Sequence, residues 1–299
     1  MTGRPDDLAT QSQQRQPRQQ RQSQRQRQPQ EQSASPPAVA VAGSPVDYRV
    51  TWSRVVRSEW AKLWSLRSTW SILAATLLVT AGLGAVVAGT YQSGDGDGVE
   101  PVELTLLGTQ FGQILLAVLG VLVTAGEYAS GMIRASLTAV PRRLPVLWAK
   151  AVVFGGVGLA VMFATVFLTF PLAQVFLSGT DMAAGLGDPG VARALCGAAV
   201  GIALLGLLCL GLGALLRSVP AAIGAYIGAV LVLPEVVGLL PYDVVDDIVA
   251  CLPSKAAQAL MMVDGGPDML APGPALFALC CSVAATLAVA ALFLRRRDV

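Results

Sequence analysis

The sequence predicts an all-α integral membrane protein: six transmembrane helices, an amphipathic interfacial helix before the first, and a short cytoplasmic helix between the second and third. Three observations carry this. Of the 299 residues, 54% are hydrophobic and only 13% are charged, where a soluble domain carries about 25% charge. Six apolar runs each approach or exceed the ~20 residues that a membrane crossing needs. The basic residues gather on one side of those runs.

Residues 1–45 read as a disordered, cytoplasmic Gln/Arg-rich tail. Between Gln11 and Gln32, twelve of 22 residues are glutamine and five are arginine, and such a stretch cannot bury enough apolar surface to offset its ordering entropy. It has no apolar core of signal-peptide type near Met1. Residues 46–299 read as one six-span domain.

The stretch from Arg54 to Trp70, "RVVRSEWAKLWSLRSTW", precedes the first run. At 100° per residue, Trp52, Val55, Val56, Trp60, Leu63, Trp64 and Leu66 fill one half of the wheel; Arg54, Arg57, Ser58, Ala61, Lys62 and Ser65 fill the other. A basic face opposite tryptophans suits a helix lying among lipid headgroups, and Arg67 follows at its end. Glu59 falls inside the apolar half, where an ionised carboxylate needs a partner. Lys62, three residues on, is one choice; a contact to another subunit is the other.

The runs are Trp70–Tyr91, Leu104–Ala125, Val146–Leu177, Val191–Leu216, Val219–Leu240 and Pro274–Leu294. The third is long enough to tilt or break, with Pro171 the expected place for a kink. Gly197/Gly201 and Gly224/Gly228 are small-xxx-small pairs that let helices approach closely in lipid. Glu235, after Pro234, is the one carboxylate well inside a run. It is either a gate or cargo contact or a side chain reaching the headgroup layer. The five cysteines read as small core hydrophobes, and the chain has no histidine.

With the N-terminus inside, the outer loops 92–103, 178–190 and 241–273 hold eleven of the 19 acids, and only Lys255 among the basic residues, with Arg193 close to a span end. The basic bias sets orientation, so both termini are expected in the cytoplasm. "GDGDGVE", Gly94 to Glu100, reads as an acidic outer turn lacking the full calcium-loop spacing. "VACLPSKAAQALMMVDGG", Val249 to Gly266, is apolar enough either to re-enter the outer leaflet or to lie along the outer surface.

"GEYASGMIRASLTAVPRR", Gly126 to Arg143, is the loop that needs explaining. Gly126 closes the second run. Helical spacing puts Tyr128, Ala129, Met132, Ile133 and Leu137 on one side and Glu127 and Arg134 on the other. Pro141 stops the helix, and Arg142 and Arg143 hold the turn at the headgroups. A short helix with a polar and an apolar face is more than an ordinary inner loop needs; it is either a helix resting on lipid or a docking element for a soluble partner.

These two segments resemble the permease subunits of ABC transporters of the type 2 exporter group. Members show a pre-span helix like "SEWAKLWSLRSTW", an inner loop like "GEYASGMIRASLTAVPRRLPVLWAK" and a basic end like "LRRRDV"; this chain has Met132 where the family usually has threonine after Gly131. The resemblance covers Arg49 to Val299. It implies that Glu127, Tyr128, Gly131, Arg134, Pro141, Arg142 and Arg143 belong to a coupling helix that docks on an ATPase subunit, and that Glu59, Trp60, Lys62, Trp64 and Arg67 belong to the interfacial helix. No GxxxxGK[ST] occurs in the sequence, so the phosphate-cradling loop is expected on a separate ATPase, present in two copies with its ATP and Mg. The chain itself is expected to be neither an enzyme nor a binder of cofactor, metal or nucleic acid. Its partners would be that ATPase, a second permease as homodimer or heterodimer, and membrane lipid. The expected role is plasma-membrane export of a lipophilic or amphipathic substrate. A scaffold or sensor that binds the ATPase without moving cargo is the alternative, and an intramembrane enzyme is disfavoured by the missing histidine and the lack of paired intramembrane carboxylates.

Overall fold

The computed structural model describes residues 51–93, 100–132, 143–266 and 269–296. The chain divides into two units, Met1–Arg49 and Val50–Val299, and all described residues lie in the second. The Gln/Arg-rich tail, Gly94–Val99 of the acidic turn, the 133–142 part of the inner loop (with Arg134, Pro141 and Arg142) and Arg297 lie outside the described residues.

Every regular element among the described residues is helical: α1 Trp52–Ser65, α2 Arg67–Thr90, α3 Pro101–Leu106, α4 Thr109–Ala129, α5 Arg143–Leu177, α6 Val191–Leu216, α7 Val219–Val237, α8 Asp243–Ala250, α9 Pro253–Met261 and α10 Pro272–Arg296. Six of them, α2, α4, α5, α6, α7 and α10, are long and apolar enough to cross a membrane, consistent with a multi-pass membrane protein. Proline stands in the first turn of α3, α7 and α9, and α10 opens on Pro272; its missing N–H has no helical acceptor there to lose.

The helices depart from the apolar runs in several places. The helix before the first span ends at Ser65; Leu66 is extended, so Arg67 opens α2 instead of closing α1. The second run breaks at Leu107–Gly108, where a Cβ on Gly108 would strike the Thr80 carbonyl of α2; glycine permits that crossing. α4 continues past Gly126 and stops only where Gly131 turns left-handed at φ 73°, a conformation glycine adopts without steric cost. α5 passes through Pro171 without ending. Within α7, Tyr226–Val232 winds as a π-helix just ahead of Pro234. A proline cannot supply the N–H that a regular α-helix needs at its own position.

α6 is the centre of the bundle. Two-thirds of its apolar stretch, 67%, is buried, against 22% for α7 and for α10, and it packs on α4, α5, α9 and α10. Small residues bring the backbones together: a Cβ on Gly120 of α4 would meet the Gly206 carbonyl of α6, and Thr124 Oγ1 donates to the Leu210 carbonyl at 3.0 Å. α9 neither lies loose on the surface nor stands alone. Ala256, Ala257, Ala259 and Leu260 are buried, with Gly197 of α6 under the Leu260 backbone and Gly201 under Ala257. Arg193 clamps the end of α9 by donating to the Met262 and Val263 carbonyls at 2.7 and 2.8 Å. The Glu100 carboxylate accepts from the Val263 and Asp264 amides at 2.6 and 2.7 Å.

Candidate functional site

Four charged side chains meet where α1, α4 and α5 come together. Lys150 Nζ donates to Glu59 Oε2 at 2.7 Å and to Glu127 Oε1 at 2.6 Å. Lys62 Nζ reaches Glu59 Oε1 at 2.6 Å and stands 3.6 Å from Glu127 Oε1. Glu59, Glu127 and Lys150 are all buried. Two acidic and two basic side chains balance in formal charge, and their mutual contacts offset the cost of removing them from water.

Each helix delivers its group for a local reason. α1 turns Val55, Glu59 and Leu63, four residues apart, towards the bundle, and Trp52 and Trp60 stay half exposed on its flanks. Trp60, Trp64 and Trp70 pack at a tilt across the α1–α2 corner with ring centroids 5.6 and 4.6 Å apart, and Trp70 Nε1 donates to the Trp64 carbonyl at 3.2 Å. α5 brings Lys150 by its length. Thirty-five residues at ~1.5 Å each reach ~52 Å, well past the ~30 Å hydrocarbon core. Counted back from Leu177, Lys150 lies ~40 Å along the helix, close to the end of α5 that begins at Arg143.

Glu127 occupies the last turn of α4 and faces inward on Lys150. It is therefore part of a buried cluster; Arg134, expected on the same side, lies outside the described residues. Tyr128 meets Arg217, whose guanidinium lies 5.1 Å from the ring centroid, within cation–π range. Arg217 caps α6 in the left-handed region at φ 54°. Gly131 acts as the stop of α4. α5 begins at Arg143.

Glu59 thus has two partners in its own chain, the local Lys62 and the distant Lys150. Lys150 and Arg217 were not singled out from the sequence. The usable signal was that Lys150 is the one charge inside the third apolar run, which obliges it to find a carboxylate. A cavity of about 290 Å³ adjoins the cluster, lined by Leu63, Leu66, Val123, Met132 and Phe154 beside the charged groups. Glu127 Oε2 is buried there without a hydrogen-bond partner.

Glu235 is elsewhere, near the far end of α7. Its side chain is 61% exposed, and its Oε1 pairs with Lys255 of α9 at 2.7 Å. Among the described residues no three His, Cys, Asp or Glu side chains converge as metal ligands would. No protein family and no curated protein matches this chain.

Proposed function

We propose that this chain is the membrane-spanning subunit of an ATP-driven exporter of the type 2 ABC group, placed in the plasma membrane with both termini cytoplasmic and energised by a separate ATPase. The observation that carries the reading is the Glu59–Lys150–Glu127 bridge. The 133–142 segment is entered from α4 and left through α5, and the bridge ties both helices to α1 within about two turns of that segment. A push on the segment is then delivered to three helices as one body, because buried ion pairs hold register where apolar contacts can slide. An idle loop has no use for such a lock. The basic, tryptophan-flanked α1 supports an interfacial position on the same side.

In this reading the inner loop between α4 and α5 docks on the ATPase, while Glu127 at its start works as a strut. Arg134→Glu is the direct test, since it reverses a charge on that segment while leaving Glu59, Glu127 and Lys150 in place. The expected result is normal insertion and yield, with loss of ATPase co-purification or of ATP-dependent transport in reconstituted vesicles. If complex yield and transport are both unchanged, the docking role is wrong. Hydrolysis and binding without transport of any lipophilic probe would make the chain a scaffold or sensor.

A further inference from the structure

Glu127 and Gln110 lie on the same helix, seventeen residues or ~25 Å apart. Around Gln110, at the end of the bundle away from the charge cluster, three cavities wrap α9. One of about 220 Å³ is lined by Gln110, Gln113, Ser254 and Gln258 on its polar side and by Phe111, Ile114, Leu231 and Met261 on its apolar side, with Glu235 at its edge. A second, about 290 Å³, shares Glu235 and adds Asp246 and Lys255. A third, about 190 Å³, shares Gln110, Gln258 and Met261 with the first and adds Glu103. Because their walls are common, they form one groove.

The chemistry of that groove is one-sided. The first cavity is lined by Glu235 and the third by Glu103, with no cationic side chain in either; the second is lined by Glu235 and Asp246 with one ammonium, Lys255. Among the described residues Lys255 pairs with Oε1 of Glu235. Ser254 Oγ is buried with no hydrogen-bond partner, and the Gln110 and Gln113 amides are tied to each other at 2.8 Å. Phe111 is 54% exposed beside them, and an aromatic face attracts a cation. The carboxylates do not converge as metal ligands. An excess of negative charge, an orphan acceptor, an aromatic face and an aliphatic wall together describe a site for an organic cation with an apolar body.

We infer that the groove around α9 takes an amphipathic protonated amine, its N–H donated to Glu235 Oε2 or Ser254 Oγ and its apolar part laid on Phe111, Ile114, Leu231 and Met261. The inference rests on the exporter reading, for which it names the cargo class, and places the site at the outer end of the bundle.

Binding can be measured without the ATPase, so its failure is separate from a failure of the transport reading. The full chain, with its own cysteines replaced and Met261→Cys added, is placed in nanodiscs. The rate of maleimide labelling at that position is followed as N,N-dimethyloctylamine or n-octanol is titrated at neutral pH. The amine is expected to protect the thiol while octanol is not, with no protection of Ser53→Cys at the other end of the bundle. Adding Glu235→Gln should weaken protection about tenfold, the size of one charge-assisted hydrogen bond, and Lys255→Met, which removes the competing ammonium, should strengthen it. Equal protection by octanol, equal protection at Ser53→Cys, or undiminished protection in Glu235→Gln each overturns the assignment.

Discussion

Lys150 sits between two carboxylates, and each of its bonds reaches a different helix. Removing it would leave Glu59 and Glu127 buried a few ångströms apart, with only the partly exposed Lys62 between them. Breaking a buried pair by deleting one partner costs about 3–5 kcal/mol, whereas replacing the whole set with neutral groups of similar size is often close to harmless. Lys150→Met should therefore lower the thermal midpoint of the detergent-solubilised chain by several degrees or abolish its yield. The triple change Glu59→Gln, Lys150→Met and Glu127→Gln should recover most of that loss. A single variant as stable as the parent would mean that the cluster contributes nothing to the fold. The two outcomes also separate stability from coupling: if the triple variant folds and binds the ATPase but no longer couples hydrolysis to transport, the charges matter for register. That result cannot come from packing alone.

At the scale of elements, one sequence pattern has two different fates. Gly197/Gly201 and Gly224/Gly228 are the same small-xxx-small motif. In α6 the first pair is filled: a Cβ on Gly197 would strike the Leu260 carbonyl and one on Gly201 would touch Ala257. In α7 a Cβ on either Gly224 or Gly228 meets nothing within 4 Å. Helical spacing made both faces legible, since four residues return a side chain to one side of a helix. It could not say what lies opposite, because α9 arrives from sixty residues away in a loop. The same division holds for α1, where the wheel put Glu59 on the buried side but could not supply Lys150. Gly197→Val must displace α9 from α6, and should lower the thermal midpoint of the purified monomer and expose α9 to protease. Gly224→Ala and Gly228→Ala should leave that midpoint unchanged or slightly raised, as an open glycine in a helix gives up about 0.5–1 kcal/mol to alanine. Destabilisation of the monomer by the α7 changes to the same degree as by Gly197→Val would contradict this packing.

Across the whole molecule, side-chain bonds show which turns share an end. Tyr91 donates to Asp181 at 3.0 Å, while Arg193 and Glu100 both hold the Met262–Asp264 stretch, so the connections after α2, α5 and α9 stand together. Glu59, Glu127 and Lys150 meet at the other end, and Tyr128 with Arg217 places the turn between α6 and α7 there too. The charges sort by the same division. The first end carries the acids Glu100, Glu103, Asp181, Asp188 and Asp264, with Arg193 and Lys255 among them; the second carries Arg54, Arg57, Lys62, Arg67, Lys150, Arg217, Arg295 and Arg296, with Glu59 and Glu127 paired to its lysines. Hydropathy was enough to find the six long helices, and the side-chain contacts add the pairing of their ends. Which end faces the cytoplasm follows from the retention of Lys and Arg on the inner side during insertion. In the proposed orientation the exposed Asp264 would face out and the exposed Ser130 would face in. On a background without the native cysteines, Asp264→Cys should react with a membrane-impermeant maleimide in intact cells, and Ser130→Cys only after permeabilisation. The reverse pattern would invert the protein, put α1 and the 133–142 segment outside, and remove them from any cytoplasmic ATPase. Labelling of both positions from outside would instead break the alternation of the helices, because an odd number of crossings separates Ser130 from Asp264.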